Sequence, residues 1–153
     1  MVGELIHARV GPEPLDAAAV AGRLSDSSHG AQVLFVGVVR DENRGRKVRS
    51  VSYDAFEPLA EKTLRDICLE AGAKWGAGLR FVAVHRTGRL TLGEASVIVG
   101  VGSPHRVEAY EASRYVIEKL KLRVPIWKME EYVDGETEWL RGHALCAHGK
   151  AGV

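Results

Sequence analysis

The amino-acid sequence predicts an α+β domain with a mainly antiparallel sheet. Runs rich in β-branched residues occur in pairs joined by polar or glycine-containing segments, as expected of hairpins. Helical apolar stripes lie between these pairs, which favours helices packed on an antiparallel sheet. With 153 residues, 46% of them hydrophobic and 27% charged, the chain can form one compact core. We therefore expect one domain over residues 1–141 and a flexible tail over residues 142–153.

The first half of the chain predicts three strands and two helices. ELIHARV predicts a short strand, and Asp16 is placed to cap a helix that ends at Leu24. The Val-rich run at 31–40 predicts a buried strand, and RSVSYDAF predicts its hairpin partner across the polar loop 41–47. Helical spacing then predicts a helix over 57–74. Its apolar stripe consists of Leu59, Leu64, Ile67, Cys68 and Ala71.

The second half predicts another hairpin, the longest helix and a last strand. LRFVAVHRTG and ASVIVGVGS are Val-rich and are joined by a turn from Gly88 to Gly93. A helix follows over 104–124 and ends because Pro125 moves Val124 out of the α region. Its core stripe consists of Ala109, Ala112, Val116, Ile117 and Leu120. PIWKMEEY is the last predicted strand.

The charges balance over the whole chain but not locally. There are 21 Lys and Arg against 20 Asp and Glu, a net charge of +1, which argues against a general polyanion binder. Yet KLKLRVPIWKMEEY, residues 119–132, crowds four cations around an apolar centre. A local positive patch of this kind suits a small anion better than a long nucleic acid.

Lys121 and Lys128 of this segment are predicted to converge. Lys121 lies near the end of the long helix at the border of its apolar stripe. Trp127 and Met129 share one face of the last strand and are expected in the core, so Lys128 projects from the other face beside the helix end. Two lysines near an apolar wall lower each other's pKa, which makes one available as a base or nucleophile. Two solvated lysines at a helix end are the alternative.

VGSPHR, residues 101–106, joins a predicted strand to the long helix. Ser103 is predicted to be the N-cap and Pro104 the first helical residue. His105 and Arg106 then fall in the first turn, where the helix dipole disfavours cations unless an anion lies against them. Free backbone N–H groups beside His and Arg suit a phosphate or carboxylate, and solvated side chains are the alternative.

Arg40 ends the first Val-rich strand and can reach the same site, with Phe35 upstream of it. The loop 41–47 is either a lid over an anionic ligand or a solvated hairpin tip.

Metal or cofactor chemistry is not indicated, because HALCAHGK at 143–150 matches no zinc spacing, and Cys68 is predicted to be a buried, reduced thiol. No apolar run is long enough to span a bilayer, and the start MVGELIHARV lacks signal-peptide order, which predicts a cytoplasmic protein.

Three segments taken together resemble a known family. They are GAQVLFVGVVRDENRGRKVRSVSYDAFEPLAEK, VHRTGRLTLGEASVIVGVGSPHR and YVIEKLKLRVPIWKMEEY. From about residue 30 to residue 139, the chain resembles the large, catalytic subunit of molybdopterin synthase, the MoaE family. The resemblance implies an α/β hammerhead-type fold and a homodimer of large subunits within a heterotetramer. A small ubiquitin-like sulfur-carrier subunit would dock at each outer end.

The reaction that the resemblance implies is sulfur transfer to cyclic pyranopterin monophosphate. The small subunit inserts a C-terminal Gly-Gly tail that carries a thiocarboxylate. Two sulfur transfers open the cyclic phosphate and create the dithiolene that later holds molybdenum. Because the tail and the phosphate ester are both anions, bringing them together in a dry pocket requires several cations.

The family's catalytic lysines correspond to Lys121 and Lys128. The resemblance implies general acid/base work and capture of the acyl tail for Lys121, and electrostatic and proton-transfer support for Lys128. The sequence does not decide which lysine does which. The family's substrate-binding positions correspond to both lysines and to Val38, Val39, Arg40, His105, Arg106, Met129 and Glu130.

The resemblance also implies how the pocket is assembled. His105 and Arg106 reach it across the dimer interface, and Phe35 and Ile117 line its wall. Val38 stands where the family often has Lys or Thr, and Ile117 stands where a Met is common.

Two other functions are compatible with parts of the sequence. A non-catalytic RNA-binding module would use the basic loop at 40–49 and the cluster at 119–128. Such a module needs stacking aromatic residues, and the candidates Trp127 and Tyr53 have a stronger case as core residues. A degenerate subunit that only scaffolds a partner is the third possibility, and the retained lysines argue against it.

Overall fold

The structure, a computed structural model, describes residues 5–141. The strands of this part of the chain are β1 (Ile6–Gly11), β2 (Ala31–Val38), β3 (Glu42–Asn43), β4 (Arg46–Ala55), β5 (Arg80–Arg86), β6 (Gly88–Thr91), β7 (Ala95–Ser103), β8 (Ile126–Tyr132) and β9 (Thr137–Arg141). The helices are α1 (Ala17–Arg23), α2 (Glu57–Trp75) and α3 (Arg106–Arg123).

The strands form two sheets. The first has the order β1-β5-β7-β2, and only its β1–β5 pair is parallel. The second has the order β3-β4-β8-β9, with β6 also paired to β4, and all its pairs are antiparallel. The predicted α+β class with mainly antiparallel sheets is confirmed.

The helices cover both faces of the first sheet. On one face, α2 and α3 contribute Leu64 and Val116 to the largest core cluster, which also contains Val99 of β7. On the other face, α1 packs Val20 and Leu24 against β5 and β7. Because alternate strand residues point to opposite faces, the two central strands are buried on both sides, which explains their continuous Val-rich sequences. Burial of each such side chain stabilises the fold by roughly 1.5–3 kcal/mol.

The helices were predicted well from local sequence. Asp16 caps α1, and its carboxylate accepts a hydrogen bond from the backbone N–H of Ala18 at 2.9 Å. In α2, four predicted core residues are buried, namely Leu64, Ile67, Cys68 and Ala71. Leu59 was wrongly assigned to this stripe, because it is 47% exposed and Ala60 occupies the buried position.

The predicted hairpin between 31–40 and 49–56 is wrong. β2 pairs with β7 in the first sheet, whereas β4 belongs to the second sheet. A β-bulge between Gly37 and Val38 disturbs the pairing, and the chain then leaves the first sheet. Side-chain alternation predicts that a strand exists, but its partner depends on distant residues. The other predicted strand pair, β5 with β7, is confirmed. The turn predicted from Gly88 to Gly93 is wrong in part, because Gly88–Thr91 forms the strand β6, which pairs with β4 in the second sheet. The strands β3, β6 and β9 were not predicted.

The start of α3 also differs from the prediction. His105 is the N-cap and Arg106 the first helical residue, because β7 continues as far as Ser103. The Ser103 hydroxyl accepts a hydrogen bond from the His105 backbone N–H at 3.2 Å and donates one to the His105 carbonyl at 2.6 Å. Ser103 therefore stabilises the turn before the helix instead of capping the helix itself.

Candidate active site

A pocket with a volume of about 280 Å³ lies between the end of α3, the strand β2 and the second sheet. Eight predicted site residues line it, namely Phe35, Val38, Val39, Arg40, Ile117, Lys121, Lys128 and Glu130. They come from segments far apart in the sequence, so the pocket exists only in the folded chain. Its wall is partly apolar, and cationic side chains border it.

Lys121 and Lys128 reach this pocket from different elements. Lys121 lies in the last turn of α3, and Lys128 lies on β8 opposite Tyr53 of β4. Between them, Val124 adopts an extended conformation with φ −78° and ψ 128°, and Pro125 cannot continue the helix. The chain therefore turns from α3 into β8 and brings both lysines to one cavity.

Burial lowers the pKa of the Lys128 ammonium group, because the charged form loses hydration inside the pocket. The carboxylate of Glu130 opposes this shift, while Lys121, Arg40 and Arg44 add to it by charge repulsion. Near neutral pH, a larger fraction of the Lys128 side chain is therefore uncharged than in a solvated lysine.

Glu130 is the pocket's buried anion. Its side chain is 2% exposed, and its Oε1 accepts hydrogen bonds from Asn43 Nδ2 at 2.6 Å and from the Tyr132 hydroxyl at 3.3 Å. A buried carboxylate is stable only when its oxygens are paired in this way. Glu130 therefore moderates the positive charge around Lys128 and ties the strand β8 to the β3–β4 hairpin.

The sequence correctly divided the residues of β8 between two faces, but the face predicted to lie in the core is the more exposed one. Trp127 is 37% exposed, whereas Ile126 and Glu130 are 6% and 2% exposed. Met129 pairs with Ser52 and Trp139 and does not line the pocket. The buried face carries Ile126, which belongs to the same core cluster as Leu120 and Val124 at the end of α3, and strand periodicity alone does not indicate this contact.

His105 and Arg106 lie at the opposite end of α3 from Lys121 and are both exposed. At about 1.5 Å per residue, Arg106 is roughly 22 Å from Lys121 along the helix axis. One chain therefore does not bring this turn to its own pocket.

His85 and Tyr53 are among the pocket residues that were not predicted as site residues from the sequence. His85 is 6% exposed, and its Nδ1 lies 2.9 Å from the Arg86 carbonyl, so Nδ1 carries the proton and Nε2 is an acceptor. Burial, with a smaller effect from Lys121, lowers the pKa of His85 to about 4. The Tyr53 ring packs edge-on against the imidazole at 4.9 Å. The position of His85 at the end of a Val-rich strand was the feature of the sequence that could have indicated a pocket residue. A purely structural histidine can occupy the same position, so the sequence did not separate the two roles.

Outside the pocket, Cys68 is buried and unpaired, as predicted, and burial raises the pKa of its thiol to about 12. Within residues 5–141, no group of three His, Cys, Asp or Glu side chains could hold a metal ion. The helices of the same residues include none that is both long and apolar enough to cross a membrane. The segment 143–150 and the predicted tail lie outside the described residues.

Comparison with known proteins identifies the family. A family model described as MoaE protein matches residues 10–123. The chain belongs to the MoaE family. It is 46% identical over 141 residues to the molybdopterin synthase catalytic subunit of Synechococcus elongatus, a match that spans 92% of this chain and 84% of that one. It is 39% identical to molybdopterin synthase catalytic subunit 1 of Mycobacterium tuberculosis, over 90% of this chain and 92% of its relative.

Solved structures agree with this assignment to the MoaE family. The crystal structure of molybdopterin synthase from Staphylococcus aureus superimposes with a TM-score of 0.81 at 38% identity, covering 86% of this chain and 95% of that one. A protein–protein complex of subunits 1 and 2 of molybdopterin-converting factor from Helicobacter pylori shares the fold, with a TM-score of 0.70 at 22% identity. The family predicted from the sequence is confirmed, as is an enzyme role in molybdenum cofactor biosynthesis, and the RNA-binding alternative is not supported.

Proposed function

We propose that this chain transfers sulfur from the C-terminal thiocarboxylate of a small ubiquitin-like carrier subunit to cyclic pyranopterin monophosphate. The product is the dithiolene of molybdopterin. The observation that carries the proposal is the pocket in which Lys121, Lys128 and Arg40 meet beside an apolar wall. Membership of the MoaE family supports the same reaction.

The charges of the reactants fit the pocket. The thiocarboxylate and the phosphate ester are both anionic, so they repel each other most strongly where water is excluded. Cations fixed around the cavity offset this repulsion and stabilise the charge that develops during the transfer. The buried Glu130 does not neutralise this set, since Lys121, Lys128, Arg40 and Arg44 line the same cavity.

The two lysines have different roles in this proposal. Lys121 performs general acid/base work and captures the acyl end of the tail, while Lys128 gives electrostatic and proton-transfer support. The lowered pKa of Lys128 supports proton transfer, because its amine changes protonation state more readily than a solvated lysine. In each transfer the tail's sulfur bonds to a carbon of the pterin's side ring and displaces that carbon's oxygen, which is the ester oxygen of the cyclic phosphate at one carbon and is lost as water at the other. The tail's carbon–sulfur bond then breaks as its acyl group passes to the Lys121 amine or to water, so two carrier tails supply one dithiolene.

The assembly in this proposal is a heterotetramer. Two copies of the chain form a homodimer, and one carrier subunit docks at each outer end. The exposed turn at His105 and Arg106, roughly 22 Å from its own Lys121, then completes the pocket of the other copy and binds the substrate phosphate. The Helicobacter pylori complex of two subunits, which shares the fold, supports a second type of subunit.

The test is reconstitution of the purified chain with a thiocarboxylated carrier and the cyclic pterin, followed by an assay of the dithiolene. Replacing Lys121 with alanine should lower the rate by at least about 100-fold, because general acid/base catalysis contributes on that scale. Carrier binding should remain unchanged. Lys119→Ala is the matched control, since the Lys119 ammonium lies over the Tyr115 ring at 5.5 Å and not in the pocket. Near-normal product formation by Lys121→Ala would remove Lys121 from its role.

A further inference from the structure

The β3–β4 hairpin reaches the pocket in a defined conformation. Asn43 pairs with Arg46, so Arg44 and Gly45 form a two-residue turn. Both turn residues have positive φ angles, 51° for Arg44 and 79° for Gly45, as a type I′ turn requires. This geometry favours a tight hairpin over the loose loop that the polar sequence at 41–47 suggests.

A side-chain hydrogen bond joins β3, the first strand of the hairpin, to Glu130 of the pocket wall. Asn43 Nδ2 donates to Glu130 Oε1 at 2.6 Å, between residues 87 positions apart. The acceptor belongs to a side chain that is only 2% exposed, so its loss would leave a buried carboxylate oxygen with a weaker set of partners. Tyr132 donates to the same oxygen at the longer distance of 3.3 Å.

This contact lies beside two charged groups, Arg44 and Glu130. Asn43 and Arg44 are adjacent in the chain, and both line the pocket. The same contact holds the Glu130 carboxylate, which raises the pKa of Lys128, whereas Arg44 lowers it. The hairpin is also held to β8 by the antiparallel pairing of β4 with β8 and by Arg46, whose guanidinium lies 3.6 Å from the centre of the Tyr132 ring. The Asn43 contact therefore acts on β3 and the turn, and not on the whole hairpin.

We propose that Asn43 is a positioning residue, whose amide holds Glu130 and thereby keeps Arg44 against the anionic substrate in the pocket. The inference rests on the proposed function for the identity of that substrate. Asn43 itself takes no part in the chemistry. Its contribution is to keep a cation in place, which affects substrate binding more than the rate of the bound complex.

The test exchanges the donor and the acceptor of the hydrogen bond between residues 43 and 130. In Asn43→Asp, a carboxylate faces the Glu130 carboxylate, the two repel, and β3 and the turn lose their side-chain contact with β8, while β4 stays paired with β8. In the double variant Asn43→Asp with Glu130→Gln, the glutamine amide donates to the new aspartate, and the contact is restored in the opposite direction. Glu130→Gln alone is the reference, because Glu130 is itself a pocket residue.

The expected kinetic result is non-additive. Asn43→Asp should raise the KM for the cyclic pterin by at least about fivefold, with a smaller change in kcat, since a buried acceptor has lost its partner. The double variant should return to within about threefold of Glu130→Gln alone. If the effects of the two substitutions simply multiply, Asn43 does not act through Glu130 and the proposal is overturned.

A second measurement does not depend on catalysis. Limited trypsin digestion of the full chain, followed by mass spectrometry, reports cleavage after Arg44. Cleavage should accelerate in Asn43→Asp and slow again in the double variant, because the restored hydrogen bond holds β3 and the turn against β8. Equal cleavage in all variants would overturn the attachment of the hairpin. If the wild-type chain forms no dithiolene but shows this cleavage pattern, the proposed function fails while the role of Asn43 in holding the hairpin stands.

Discussion

Lys128 and His85 are ionisable residues whose pKa values differ from their ordinary values because both side chains are partly or fully buried. Burial lowers the pKa of both side chains, because neither can be fully hydrated when charged. For Lys128 the consequence is an amine that exchanges protons more easily. For His85 the consequence is an imidazole that stays neutral, so that it adds no further positive charge beside Lys121.

The neutral state of His85 predicts how stability depends on pH. Its pKa is about 4 in the folded chain, against an ordinary value of 6.5. As pH falls below 6.5 the unfolded chain binds a proton that the folded chain refuses, so stability is lost between pH 6.5 and 4. Between pH 7 and pH 5, the loss from this residue should be about 2 kcal/mol.

Urea denaturation of wild type and His85→Asn at the two pH values measures this contribution. Carboxylates, whose unfolded pKa values lie near 4, add little to the slope above pH 5. The asparagine variant should therefore show a smaller decrease in the free energy of unfolding. The same decrease in both proteins would mean that His85 is charged in the folded chain or is solvated there.

Among the elements, α1 depends on a glycine in the strand it covers. A Cβ added to Gly100 of β7 would lie 2.9 Å from Leu24 Cδ1 and 2.9 Å from Val20 Cγ1. Leu24 is 0% exposed and Val20 is 5% exposed, so neither side chain can move aside without displacing α1. The close approach of helix and sheet therefore explains a glycine inside a Val-rich strand.

Replacing Gly100 with alanine should lower the free energy of unfolding by about 1–3 kcal/mol, because it overpacks the interface between α1 and the sheet. Gly78→Ala is the control, since a Cβ there meets nothing within 4 Å, and its stability should stay within about 0.5 kcal/mol of wild type. Sulfur transfer per folded molecule should not change, because α1 lies on the sheet face away from α3. Wild-type stability of Gly100→Ala would show that α1 is loosely packed.

At the scale of the whole molecule, the position of His105 and Arg106 provides a test of the proposed homodimer. They lie at one end of α3 and the pocket lies at the other. If each pocket takes Arg106 from the other copy, subunits with different defects should complement each other. A hybrid dimer of Lys121→Ala and Arg106→Ala chains contains one pocket with both residues and one pocket with neither.

Mixing the two inactive variants after partial unfolding and refolding should therefore restore about a quarter of wild-type activity, since half of the dimers are hybrids and half of their sites are intact. Lys121→Ala mixed with Lys128→Ala is the control. Both of those residues belong to the pocket of one chain, so no hybrid site is intact and activity should stay low. Failure of the first mixture to recover activity would place Arg106 outside the shared site.

The sequence by itself determined the features that depend on near neighbours along the chain. Hydrophobic periodicity predicted the three helices that lie within residues 5–141, Asp16 identified the cap of α1, and Pro125 marked the turn that brings Lys121 and Lys128 together. These patterns are local, because a helical stripe, a cap or a proline acts within a few residues. The resemblance to the MoaE family then supplied the expected site.

Only the tertiary structure decided which strands pair, which face of β8 is buried and which groups lose their charge. The hairpin predicted over 31–56 was wrong because β2 and β4 find partners in different sheets, and Trp127 is exposed because the other face of β8, which carries Ile126, packs into the core. The contact between Asn43 and Glu130 joins residues 87 positions apart. Such features depend on burial and on contacts between distant segments, which exist only after the chain has packed.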